Sequence, residues 1–214
     1  MEKQIKTYTI IGATLLFIGF PVLFWAIGNV PKRSFLKEAL SLLTLLAYFL
    51  MVGQFYLARI HKKAFAGFKM VSIQKIHRII GYVFVPILLL HPLLIVFPRY
   101  FESGVDPIDA FITIISTYDN TGVFLGIIGW SLMLILGLTS FFRDKLGMTY
   151  KTWRVFHGLL SIVFIFLVSW HAIDLGRHTN LNMAILMILL MGFGVLYLMN
   201  FYLIKPLNRR RIND

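Results

Sequence analysis

Cysteine is absent from all 214 residues, which excludes disulfides, thiolate metal sites, iron–sulfur clusters and covalent c-type haem attachment. Any metal must be held by other ligands. Charge is also scarce: Asp, Glu, Lys and Arg make up 14% of the chain, with nine acids against 21 bases. No phosphate loop, dinucleotide fingerprint or nucleophilic triad is present, and Gly192-Phe193-Gly194 lies within an apolar run without the strand that such a motif requires. Long polar stretches are missing as well. The longest joint between apolar runs, residues 99–119, falls well below the roughly 50 residues of a small folded domain, so residues 1–214 read as one membrane domain.

What the chain has in abundance is hydrocarbon. Hydrophobic residues reach 58% and aromatics 15%, far above an ordinary soluble domain. Apolar runs long enough to cross about 30 Å of bilayer recur six times, near residues 7–28, 36–58, 74–98, 120–142, 152–175 and 182–204. The expected fold is therefore an all-α integral membrane bundle of six transmembrane helices. The first run is too long for a signal-peptide core and no A-x-A-like site follows it, so it is expected to remain as a helix. Within the 99–119 joint, Phe111 to Ile115 sits between polar residues and breakers, which suits a short interfacial turn.

The net charge of +12 is a matter of placement rather than of nucleic-acid binding. With both termini on one side, Lys3, Lys6, the 59–78 and 143–154 joints and the Lys205–Arg211 tail collect sixteen of the 21 basic residues. By the positive-inside rule that side is cytoplasmic. Six of the nine acids, Glu38, Glu102, Asp106, Asp109, Asp119 and Asp174, fall on the other side. The basic face is read as topology plus attraction to anionic lipid. The partner is the bilayer, in a multi-pass arrangement expected in the cytoplasmic membrane of a bacterium.

Four histidines lie within the apolar runs, where an ionisable group is costly and normally has a partner or a function. The third run holds His77 and His91, and the fifth holds His157 and His171. Each pair is separated by 14 residues, which on a helix returns to within about 40° of the same face, about 21 Å further along. If both runs cross in one direction, His77 matches His157 at one depth and His91 matches His171 at the other. A neutral imidazole on each side of a macrocycle gives six-coordinate haem iron suited to electron transfer. Two stacked b haems between the third and fifth helices, with His77, His157, His91 and His171 as axial ligands to iron, are therefore expected. Zinc suits the set less well, because only two histidines share each level.

Separate hydrogen-bonding of each histidine, or a proton relay through all four, remains open from these residues alone. Arg78 and Arg154 are candidate cofactor-binding partners for haem propionates, as are Arg99 and Arg177 at the other surface. Gly81, Gly158, Ser161, Val83, Phe84, Val163 and Phe164 are candidates for lining the space between the helices. Pro86 and Pro92 free the carbonyls of Tyr82 and Leu88 and favour a bend beside His91. The glycines at 122, 126, 129, 192 and 194 suit close helix packing. His61 and His178, beside Lys62, Lys63 and Arg177, read as solvated or headgroup residues.

The stretch Lys75-Ile76-His77-Arg78-Ile79-Ile80-Gly81-Tyr82 through His91-Pro92, with Tyr150-Lys151-Thr152-Trp153-Arg154 through His157 and His171, resembles the ferric reductase-like transmembrane domain family. That family includes the membrane halves of NADPH oxidases and ferric reductases, and the haem subunit of the periplasmic methionine sulfoxide reductase system. The resemblance implies electron flow from a cytosolic flavin to the inner haem at His77/His157, then to the outer haem at His91/His171 and an external acceptor. The chain ends at Asp214 without the flavin and nicotinamide domain of the oxidases. A separate cytoplasmic donor, a flavin or NAD(P)H dehydrogenase, is therefore expected, and a bound FMN or FAD stays open. Members like the short methionine sulfoxide reductase subunit tend to carry Arg where His77 stands, so the complete set favours two haems here.

The leading expectation is a stand-alone di-haem cytochrome b, an oxidoreductase component delivering electrons to ferric iron, oxygen, or a periplasmic or surface protein. The alternatives are a haem-binding membrane subunit of one dedicated reductase complex, and a proton channel or transporter.

Overall fold

Each of the six apolar runs satisfies its own backbone by coiling into a helix, the arrangement open to a lone segment surrounded by lipid. The computed structural model describes residues 2–31, 33–57, 68–101, 104 and 106–200. His61 and the Lys205–Arg211 tail lie outside the described residues. Six helices are long and apolar enough to cross a membrane: Lys3–Ala26, Phe35–Tyr56, Met70–Val96, Thr121–Phe141, Tyr150–Leu175 and Leu181–Met199. Their bounds fall within a few residues of the expected ones. The chain is a multi-pass membrane protein.

The first span is built from α1 (Glu2–Thr14), a π-helical turn at Leu15–Gly19 and α2 (Phe20–Ala26). Pro21 accounts for that turn, since a proline four residues after Phe17 cannot donate to its carbonyl and the ladder must slip locally. The other spans are α3 (Phe35–Tyr56), α4 (Met70–Val96), α6 (Thr121–Phe141), α7 (Tyr150–Leu175) and α8 (Leu181–Met199). Polar side chains mark several starts. Asn120 accepts from the Val123 N–H at the head of α6, Thr149 from Thr152 at α7, and Asn180 from Met183 at α8. The expected interfacial turn is a ten-residue helix, α5 (Pro107–Ser116), whose cap Asp106 accepts from the N–H groups of Ile108 and Asp109.

Packing follows four partnerships: α3 with α4, α6 with α7, and α8 with each of α3 and α7. The centre is apolar, with Ala47, Phe49, Val52, Ile165, Met183 and Met187 almost wholly enclosed. Outward faces are apolar too, including Ile76, Ile79, Tyr82, Leu90 and Phe193, as lipid contact requires. Several polar atoms inside find partners on other helices. Tyr48 and Ser169 share a buried 2.7 Å hydrogen bond, the Tyr56 hydroxyl donates to the Leu190 carbonyl at 2.7 Å, and the Trp130 indole donates to the Leu89 carbonyl at 2.8 Å.

Directions can be read from these cross-contacts. Trp130 meets Leu89, and a Cβ on Gly137 would lie 3.5 Å from Val85, so α6 runs antiparallel to α4. Trp153 donates to the Thr139 carbonyl, while Gly129 sits against Val168, so α6 is antiparallel to α7 as well. It follows that α4 and α7 run in the same direction. Their backbones do not pack closely against each other, which leaves the space between them to side chains.

At the end where α3 and α8 begin, the joints are tied together. Arg33 reaches Glu38 at 2.9 Å, and Glu38 lies 2.8 Å from Nε2 of His178. Trp25 packs over the His178 ring at 5.4 Å, and Arg177 donates to the Pro31 carbonyl. His178 is therefore not a solvated residue: only 8% of it is exposed, because its carboxylate partner comes from a helix distant in sequence.

Burial pushes the pKa of the His178 imidazole down. The Glu38 carboxylate opposes that shift, while Arg33 and Arg177 reinforce it. The fold thus holds the neutral ring. Its contribution to stability is complete above the ordinary histidine value of about 6.5 and declines as pH falls through that value, where the unfolded chain takes up the proton more readily. Thermal unfolding in detergent should show the native protein losing more stability on acidification than His178→Gln does. Parallel losses in the two proteins would remove His178 as the cause.

Candidate haem-ligand site

A membrane histidine has two ring nitrogens, and the partner of one decides what the other can do. Pro92 has no N–H, so the Leu88 carbonyl four residues before it loses its helical donor. His91 takes up that carbonyl, with Nδ1 2.6 Å from the oxygen. Both prolines lie inside one continuous α4, so the expected disturbance beside His91 takes the form of a carbonyl occupied by the ring. Because a carbonyl can only accept, Nδ1 carries the proton and Nε2 keeps its lone pair.

His171 is held in the same sense from another helix. Its Nδ1 donates to the Gly122 carbonyl at 2.8 Å. The approach needs glycine on α6, since a Cβ on Gly126 would stand 2.6 Å from Cε1 of the ring and one on Gly122 would stand 2.9 Å from Leu175. Close packing is thus confirmed for Gly122, Gly126 and Gly129, and for Gly194 against Phe55, while Gly192 faces open space.

His157 obeys the same logic through a hydroxyl. Ser140 Oγ gives its single proton to the Leu136 carbonyl at 2.6 Å, so at 3.2 Å from His157 Nδ1 it acts as acceptor. The ring is also stacked on Trp153, with centroids 5.1 Å apart and planes at 27°, and Trp153 is anchored to the Thr139 carbonyl at 3.1 Å. Three of the four imidazoles thereby present an unprotonated Nε2, the form that binds a metal.

Across the gap between α4 and α7, the rings of His91 and His171 approach edge to face, with centroids 6.1 Å apart and planes at 63°. Rings at this separation could hold one metal ion between them, each through a single nitrogen. His77 and His157, one level away, are close enough to interact electrostatically. Among the described residues no group of three or more His, Asp or Glu converges as a metal cluster. The structure brings His91 and His171 together as a pair, with His77 and His157 near one another on the same two helices, and two histidines at a level suit a macrocycle that supplies four nitrogens of its own.

The arginines are less committed. Arg78 is exposed beside His77, and Arg154 is half-buried with its guanidinium 6.0 Å above the Tyr150 ring. The Arg99 side chain lies outside the described residues, and Arg177 is engaged by Pro31. Of the expected lining residues, Phe164 is buried and Phe84 packs against the core. Ser161 donates to the His157 carbonyl at 2.7 Å, Gly158 is buried, and Val83 and Val163 are exposed.

Sequence reasoning overlooked three positioning groups: Ser140, the Gly122 carbonyl and Gln54, whose amide lies against His77. For Gln54 a signal existed, an amide inside an apolar run. For a backbone carbonyl there was none.

The fold and site together describe a multi-pass membrane protein with paired imidazoles between two parallel spans. Residues 43–168 match the family model described as ferric reductase like transmembrane component. An uncharacterized protein of Archaeoglobus fulgidus is 44% identical over 160 residues, covering 75% of this chain and 87% of its own length. No solved structure matches. The chain belongs to the ferric reductase-like transmembrane component family, whose members carry electrons within membranes and typically bind b-type haem.

A methyl group on Gly126 should force the His171 ring off the Gly122 carbonyl. Gly126→Ala is expected to lower the haem content of the purified protein, quantified as pyridine haemochrome, whereas Gly192→Ala should leave it at the native level. Equal haem in both variants would show that the ring has room to spare.

Proposed function

We propose that the chain conducts electrons across the membrane through two b-type haems, one between His77 and His157 and the other between His91 and His171. The observation that carries this is the pair His91 and His171 at 6.1 Å, each ring with Nδ1 anchored on a carbonyl. When bound, each haem supplies an iron that alternates between the ferric and ferrous states. The four histidines hold it as neutral ligands. The carbonyls of Leu88 and Gly122 and the hydroxyl of Ser140 fix the tautomer and increase the basicity of the bound nitrogen. Arg78 and Arg154 lie on the same helices close to His77 and His157 in sequence and are the candidates to pair with propionates.

Direction follows from charge. The end bearing Lys3, Lys6, Lys75, Arg78, Lys145 and Lys151 is cytoplasmic by the positive-inside rule. Both termini then lie inside, and His77/His157 form the inner level. Electrons enter there from a flavin or NAD(P)H-linked donor and leave at His91/His171 for ferric iron, oxygen or a periplasmic or surface protein. A proton relay is disfavoured because the Nδ1 partners of His91, His171 and His157 are carbonyls, or a serine bound to one, and pass no proton onward.

The purified protein should contain two haems per chain with low-spin spectra. His77→Ala and His91→Ala should each remove one, leaving the other's redox wave in place. A colourless protein would abolish the reading, and loss of both haems from each single variant would abolish the two-level arrangement. Membrane vesicles given a reduced flavin on the basic side should reduce a ferric chelate on the other side, and His91→Ala should slow this at least tenfold.

A further inference from the structure

Three of the histidines share one device, an acceptor on Nδ1. His77 departs from it. The neighbour of His77 is Gln54, in the last third of α3 and only 8% exposed. An amide there would be costly unless bonded. With its amide oriented to satisfy its surroundings, Gln54 Nε2 donates to His77 Nδ1 at 2.6 Å and to the His77 carbonyl at 3.1 Å. It also stands 3.2 Å from the other ring nitrogen, and its oxygen accepts from the Gly81 N–H at 3.2 Å. Gln54 thus spans both the ring and the backbone of the His77 turn.

In that orientation Nδ1 is the acceptor, so the ring proton belongs on Nε2, the reverse of the other three rings. A neutral imidazole that binds a metal through Nε2 must carry its proton on Nδ1. The amide satisfies that form by turning its oxygen to the ring, which a glutamine can do and a backbone carbonyl cannot. The turn gives up the bond to the His77 carbonyl and brings an NH₂ against the Gly81 N–H. His77 is therefore the histidine whose second partner is adjustable.

We propose that Gln54 is a positioning residue for His77, setting how strongly this imidazole donates to the inner haem and hence that haem's potential relative to the outer one. The proposal rests on the function put forward above. An acceptor on Nδ1–H makes the ligating nitrogen more basic and stabilises the ferric state. Replacing the amide by a carboxylate of the same shape strengthens acceptance. Replacing it by a thioether of similar length removes it.

Redox titration of the full-length protein in detergent tests this, with the two waves assigned from the His77→Ala and His91→Ala proteins. Gln54→Glu should shift the inner wave to more negative potential and Gln54→Met to more positive, with the outer wave unmoved. Reduced Gln54→Met should also bind more carbon monoxide at the inner haem than the native protein does, as its ligand becomes easier to displace. A packing role alone cannot give opposite signs from two substitutions of nearly equal volume. Waves that stay in place, move in the same direction in both variants, or move at the outer level would overturn the assignment of Gln54. Native protein with two haems and unmoved waves in the variants condemns only this inference, whereas native protein without two haems condemns the reading beneath it.

Discussion

The requirement that every polar group inside a bilayer find its partner within the protein shapes this molecule more than any other constraint. An imidazole in such a place must place its N–H somewhere, and the place it finds determines which nitrogen keeps a lone pair. Here Leu88, Gly122 and Ser140 take the proton of three rings on the Nδ1 side. What begins as satisfaction of a buried donor ends as a set of oriented imidazoles whose free nitrogen could bind a metal. The backbone contributes as much to this as the side chains do, since two of the three acceptors are main-chain carbonyls.

Helix α6 carries no histidine, yet it contacts both histidines of α7. Near its start, Gly122 and Gly126 allow the His171 ring to lie against the helix surface, and near its end Ser140 and Thr139 hold His157 and the Trp153 stacked on it. Small residues at one face let two helices approach closely enough for a ring to reach a carbonyl of the neighbour. The same helix meets α4 through Trp130 and Gly137. It therefore acts as a common reference for the two spans that face each other, and its antiparallel course against both makes those spans parallel.

The four levels of support are unequal. His91 uses a carbonyl released by its own proline, His171 a carbonyl of another helix, and His157 a hydroxyl, while His77 leans on the reversible amide of Gln54. Unequal hydrogen bonding to otherwise identical imidazoles is one means by which a protein can make them differ as donors to a metal. Far from these four histidines, the Arg33–Glu38–His178 contact ties together the two joints at which α3 and α8 begin.

Much of this was legible from residue order because it depends on local composition and helical period. Six apolar runs of bilayer length specify six spans, and a separation of 14 residues places His77 with His91, and His157 with His171, on single helix faces. The freed carbonyl of Leu88 was legible too, as a consequence of proline four residues later. Only the tertiary structure could decide that α4 and α7 face one another, that Gly122 and Ser140 receive ring protons, that Gln54 reaches His77, and that His178 is enclosed against Glu38. Those facts depend on which helices pack together and how each is rotated. Such choices are set by summed contacts between residues separated by tens to more than a hundred positions, and no local pattern carries them.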